Sequence, residues 1–248
     1  MHLKSLLFPS AMMALAAACA VAPPLNSTKE GLVEYVGAQR DIFKTGKAAS
    51  VIALSSLEGR ENLYAVGPVE GLDGEITIFG SLPFVSQVRG NGFTVDDSFR
   101  HGAFFLVWAQ NRRWVDRPVP PTVRSYLDLQ KFVKAEGLRN GIDVSNPFPF
   151  LLSGRAEDIK WHTNVDLTEG KPINAELFRK SKKNLVLAGE AIDIIGFFSE
   201  RHAGIFMSQG ISQGNDIHIH FVSRDSKATG HIDDIALGKD MMLRLPQR

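Results

Sequence analysis

The chain has 248 residues, is 44% hydrophobic and 22% charged, and carries a formal net charge of +1. That composition suits a globular protein with enough apolar material for a core, built as one large domain or two small ones. A near-neutral total gives no electrostatic case for a nucleic-acid partner or an anionic membrane surface.

The first residues read as a targeting segment. "MHLK" is basic, and "SLLFPSAMMALAAACA" is a short apolar run ending in small residues. Residues 1–20 are expected to be a secretory signal peptide, cleaved after Ala20 because Ala18-Cys19-Ala20 has a small-x-small form. The alternative is lipidation at Cys19; an uncleaved anchor ranks behind both because the run is short for a membrane span. The expected product is secreted or periplasmic, without an integral membrane span. Cys19 is the single cysteine, so the mature chain has no disulfide, thiolate metal site or cysteine nucleophile. Any metal must be held by nitrogen and oxygen.

Further along, "LVEYVG" has strand character. "KAASVIALSSLEG" has helical spacing, with Val51, Leu54 and Leu57 on one face and Gly59 as a stop. "NLYAVGPVEGLDGEITIFGSLPFVSQV" is a glycine-punctuated meander of short strands, and "AFFLVWAQ" is a buried strand. The proline-rich "VDRPVPPT" marks a joint, giving candidate halves 31–118 and 122–248 within one unit spanning 31–248. "VRSYLDLQKFVKAEGL" predicts a helix, with Leu127, Phe132 and Leu138 sharing a broad apolar face with Tyr126 and Val133. "NPFPFLLSG" and "DIKWHTNV" read as two short strands around a turn. From residue 185 the pattern is strand-rich again. The predicted class is α+β, with mixed or antiparallel sheets, few helices and two similar β-rich halves.

Three of the seven histidines fall in "NDIHIHFVSRDSKATGHIDD". In a strand, residues i and i+2 share a face, so His218 and His220 point one way while Ile217, Ile219 and Phe221 point the other. "SRDSKATG" is a polar turn, after which Gly230-His231 begins a returning strand. If that strand pairs with the first, His231 completes a three-nitrogen set suited to zinc with an open fourth position. Nickel, cobalt and manganese compete for such ligands. His202, in "SERHAGIF", is a candidate addition. There is no Gly-x-Ser-x-Gly elbow and no phosphate-cradling Gly-x-Gly-x-x-Gly or Walker loop.

"HIHFVSRDSKATGH" resembles the zinc motif of bacterial α-acetolactate decarboxylases, with the third histidine eleven places after the second. "GLDGEITIFG", residues 71–80, resembles a second segment of that family, and the order of elements matches over about residues 32–246. The plant and prokaryotic conserved domain of AT-hook proteins carries a related histidine pattern, but the Asp-Gly-Glu segment favours the decarboxylases. The resemblance implies that His218, His220 and His231 hold Zn2+ and that Glu75 is the acidic residue at the metal, a ligand and a proton donor. It also implies decarboxylation of 2-acetolactate to acetoin and carbon dioxide, with a small-molecule substrate and a homodimer as a candidate assembly. His162 stands where the similar enzymes have an arginine, which makes it a candidate catalytic residue and leaves Lys160 or Arg155 to supply the missing cation. Those enzymes draw a further glutamate from their C-terminal tail; Glu200, Asp233 and His202 are the candidates for that place. The competing readings are a zinc protein of the same scaffold that acts on another small oxo- or hydroxy-acid or lacks turnover, and a non-enzymatic module.

Overall fold

The structure is a computed structural model and describes residues 30–208 and 215–247. The expected signal peptide and Cys19 lie outside the described residues. The first part of the chain forms β1 (Val33–Gly37), α1 (Asp41–Thr45), β2 (Ile52–Ala53), β3 (Leu63–Pro68), β4 (Glu75–Phe79), β5 (Leu82–Arg89), β6 (Gly92–Asp96), β7 (Gly102–Ala103) and β8 (Phe105–Gln110). Next come β9 (Trp114–Pro118), α2 (Tyr126–Arg139), β10 (Phe148–Asn164), α3 (Ala175–Lys180), β11 (Lys182–Ala188), β12 (Ala191–Phe198), β13 (Ile217–Ser223), β14 (Thr229–Leu237) and β15 (Met242–Pro246). The fold is α+β with few helices. Among the described residues no helix is long and apolar enough to cross a membrane.

Two sheets dominate. The first has the order β1-β8-β3-β4-β5-β6, and the second runs β12-β13-β14-β10-β15-β9 with β11 beside β10. Each pairing between these strands is antiparallel. β9, which precedes the prolines, pairs with β15 in the second sheet. The long strand β10 pairs with β12 through Phe148–Arg155 and with β14 through Ala156–His162. Because β12 also pairs with β13, and β13 with β14, these four strands close on themselves. Inside lies one apolar core that includes Phe150, Ile159, Trp161, Ile194, Ile219 and Phe221. Burying each such side chain contributes about 1.5–3 kcal/mol.

The other faces of these strands look outward, toward the first sheet. Val66, Phe105 and Val107 from the first sheet pack with Leu151, Ile195 and Phe197 from the second. A third cluster, containing Ile76, Ile78, Leu106 and Trp108, lies on the far side of the first sheet against Leu54 and Leu57. Period-2 alternation therefore assigns each central strand one face per cluster. The close approach of β12 to its neighbours requires Gly196: a Cβ there would sit 2.2 Å from Phe150 Cζ and 2.7 Å from Ile219 Cγ2.

Three expectations need correction. Residues 47–59 do not form a helix; they form β2 and a 3-10 turn, Leu54–Leu57. The amide of Val51 donates to Ala103 O at 2.8 Å, so β7 takes the backbone bonds a helix would need. The leucine pair still sits buried, because an i,i+3 spacing also suits a 3-10 turn. The predicted helix exists as α2, started by a capping box between Ser125 and Asp128. Its inner face, however, carries Leu129 and Val133, while Leu127 and Leu138 are exposed. At about 100° per residue those two leucines lie on the stripe opposite Leu129. Finally, the two short strands expected around residue 155 are one strand, β10. Ala156 pairs with Leu237 and Asp158 with Ala236, so Glu157 is accommodated as a bulge instead of a turn.

Candidate metal centre

β13 places Ile217, Ile219 and Phe221 in the closed core and turns His218 and His220 toward the first sheet. His220 is fully buried, and His218 nearly so. β14 returns antiparallel with His231 directly opposite His220. It can lie this close to β10 only because residue 230 is glycine: a Cβ there would be 2.6 Å from His162 O and 2.8 Å from the Trp161 ring. From the facing sheet, β4 contributes Glu75 and Thr77, both buried. β10 contributes His162 and Asn164, two residues apart and on one face.

The nitrogens of His218, His220 and His231 lie within 4.8 Å of one another. His220 Nε2 is 3.2 Å from His218 Nε2 and 3.7 Å from Glu75 Oε2. The other carboxylate oxygen, Oε1, accepts from the Asn164 amide and lies 3.7 Å from His162 Nε2. One carboxylate thus faces two imidazoles, an oxygen to each.

Hydrogen bonding fixes which ring nitrogens carry protons. Thr229 Oγ1 is 2.6 Å from Phe221 O, and its single proton goes to that carbonyl. Thr77 Oγ1, 2.9 Å away, then donates to Thr229. The only bond left for Thr77 is to accept from His220 Nδ1, at 3.2 Å. His220 is therefore protonated on Nδ1 and presents a bare Nε2. His162 likewise donates from Nδ1 to Asp233 Oδ2, at 2.7 Å, and presents a bare Nε2 toward Glu75. His218 Nδ1 is buried and makes no close hydrogen bond among the described residues, with the Phe206 backbone its nearest partner.

Burial keeps these rings neutral. It pushes His218 down to about 4 and holds His220 and His231 well below the ordinary imidazole value. His162 is also lowered, burial outweighing its bond to Asp233. Burial pushes Glu75 up to about 8, opposed by Lys182 and by the Asn164 hydrogen bond. The centre thus gathers imidazoles that burial favours in their neutral form around a carboxyl that burial favours protonated. A divalent cation fits this donor set: neutral imidazoles and a carboxylate are what zinc takes when thiolates are absent.

Glu75, His162, His218 and His231 line a cavity of about 110 Å³. Phe104, Phe105, Phe178 and Phe206 line it beside the polar groups. Asp233 reaches it through an irregularity in β14: Lys160 pairs with Asp234 and Trp161 with Ile232, so Asp233 is the extra residue of a bulge. Ile232 and Ile235 both face the core, which turns Asp233 and Asp234 outward together.

No family model matches the chain, and no curated protein matches it in sequence. Solved structures do match. The α-acetolactate decarboxylase from Bacillus subtilis strain 168 has a TM-score of 0.68 at 17% identity, over 88% of this chain and 86% of that one. The fold is that of the acetolactate decarboxylases. A Staphylococcus aureus protein of unknown function, similar to α-acetolactate decarboxylase, gives 0.67 at 15% identity over the same shares. At these identities the likeness carries architecture, and chemistry has to be argued from the side chains.

Within the acetolactate decarboxylase fold, Glu75, His162, His218, His220 and His231 come together as described. Glu200 and His202 do not join them. Glu200 pairs with Lys134 on the surface. His202 bonds Ser199 Oγ through Nδ1 at 2.6 Å and stacks on Phe206, a wall contact instead of a ligand position. Nor do Arg155 and Lys160 supply a cation to the site. Arg155 donates to Gly189 O, and Lys160 pairs with Asp234 at 3.1 Å. The cation that lines the cavity is Lys182. Sequence reasoning missed Lys182, Asn164 and Thr77. Strand parity was the available signal for two of them: Asn164 follows His162 by two residues, and Thr77 follows Glu75 by two.

Proposed function

We propose that this chain is a metal-dependent carboxy-lyase that decarboxylates 2-acetolactate to acetoin and carbon dioxide, a step of acetoin biosynthesis, and that its N-terminal segment directs it out of the cytoplasm. The observation that carries this reading is the convergence of three neutral imidazoles, those of His218 and His220 buried and that of His231 partly exposed, with the Glu75 carboxyl beside a small cavity. The shared fold supports it. His218, His220 and His231 would hold Zn2+ or a similar divalent ion, with Glu75 beside it. Such an ion supplies Lewis-acid polarisation to a substrate's carbonyl and hydroxyl oxygens.

The chain's own groups do the rest. The cavity admits a small acid and its aromatic wall limits water at the reacting carbon. As the bond from C2 to the carboxylate breaks, its electron pair moves toward the neighbouring carbonyl oxygen. One proton must then reach C2 to give acetoin. Glu75 is the carboxyl in position to deliver it, and it recovers a proton from solvent afterwards. Asn164 fixes the carboxyl's orientation through Oε1.

His162 with Asp233, in the place where the resemblance expects an arginine, favours a second reading: the same machinery acting on a related oxo- or hydroxy-acid. Zinc-loaded protein assayed with racemic 2-acetolactate decides between them. Acetoin release that is abolished by a chelator and restored by zinc is the expected result. Bound zinc with no acetoin would overturn the decarboxylase assignment in favour of the second reading.

A further inference from the structure

The structure assigns Lys182 as the binding group for the substrate's carboxylate, which makes the ligand a small organic anion that also carries oxygens for the histidine centre. This rests on the proposed function, whose residues line the same cavity. Among the described residues lining that cavity, Lys182 is the only lysine or arginine. The carboxyl groups of the lining, Glu75 and Asp233, offer an anion no cation. An incoming carboxylate therefore has one cationic side chain of the described lining to meet.

The fold aims that cation. Lys182 begins β11 opposite Asn164, the residue that holds Glu75. Its side chain is about three-quarters buried, and Nζ lies 5.9 Å from the centroid of the Phe178 ring. That ring steadies the ammonium and shields one side from water. Among the described residues, Asp233 Oδ1 is the one carboxylate oxygen within ion-pair reach, at 3.9 Å, too far for a direct hydrogen bond. Asp233 is meanwhile bonded through Oδ2 to His162. The ammonium keeps donors free for a ligand, in a partly desolvated position where a charged hydrogen bond counts for more than at the surface.

The placement also distinguishes substrate from product. Before reaction the ligand presents a carboxylate to Lys182; loss of carbon dioxide removes that group and leaves a neutral hydroxyketone. Lys182 thus favours the acid and releases what it becomes.

The test uses the zinc-loaded full chain and 2,3-dihydroxy-2-methylbutanoate, which keeps the carboxylate and vicinal oxygens but lacks the ketone needed for reaction. Calorimetry on Lys182→Met is expected to show Kd raised roughly 10- to 100-fold, with KM for 2-acetolactate rising in parallel. Lys182→Arg recovers much of the affinity, zinc content is unchanged, and binding of the uncharged 2-methylbutane-2,3-diol is indifferent to either change. Equal affinity of the wild type and Lys182→Met for the acid overturns the assignment, as does equal weakening of the diol, which would mark a structural role. If the wild type makes no acetoin, the decarboxylase reading fails by itself, and the binding comparison still decides the role of Lys182.

Discussion

Replacing His220 with alanine is expected to empty the centre: after dialysis against zinc and removal of excess ion, the wild type retains one equivalent and the variant none. His220 is the ring with no alternative arrangement. It is fully buried, its Nδ1 proton is committed to Thr77, and its Nε2 lies 3.2 Å from His218 and 3.7 Å from Glu75. Loss of a group that merely orients a metal-binding histidine costs about 10- to 100-fold in affinity, and loss of the donor itself exceeds that. Thermal unfolding gives an independent readout. Zinc at 100 times its Kd stabilises a binding chain by about 2.7 kcal/mol, so the wild type shifts upward on zinc addition and the variant does not. Near-UV circular dichroism separates this from global unfolding, and His231→Gln, at the rim where the ring is partly exposed, weakens binding without emptying the interior.

Glu75→Gln has the second large expected effect, and on a different quantity. Glutamine keeps the shape and can still meet Asn164, but it cannot give up a proton at pH 7. Acetoin formation should fall by about 10²- to 10⁴-fold, the range for removing a positioned proton donor. Zinc should stay bound through the three imidazoles, so kcat falls while metal content holds. Loss of zinc together with activity would instead make Glu75 chiefly a ligand. Unchanged turnover would remove it from the chemistry altogether.

Much of this centre was legible because its ligands obey simple periodicities. His218 and His220 sit two apart in a strand whose other face is Ile217, Ile219 and Phe221, and the polar turn before Gly230 brings His231 back alongside. Glu75 was legible only through the resemblance, since a lone strand glutamate carries no mark of its 3% exposure. What stayed hidden depends on irregularities that span distant segments. The bulge that turns Asp233 into the cavity arises from how β14 registers against β10, and "HIDDIAL" contains no sign of where the alternation breaks. Lys182 is one of four basic residues in "RKSKKN", residues 179–184. Only the pairing of β11 with β10 selects it. The face of α2 was misjudged for a similar reason: both stripes carry leucine, and the barrel beneath, not the helix, chooses which is buried.

The central claim is that the imidazoles of two neighbouring strands meet around one cation with a carboxylate from the facing sheet. X-ray absorption at the zinc edge of the loaded protein tests it most directly. The expected spectrum shows a shell of nitrogen and oxygen at about 2.0–2.1 Å, with the outer-shell scattering of three imidazole rings that disappears in His220→Ala. A hydrated ion without imidazole scattering, or a spectrum unaltered by that substitution, would contradict it.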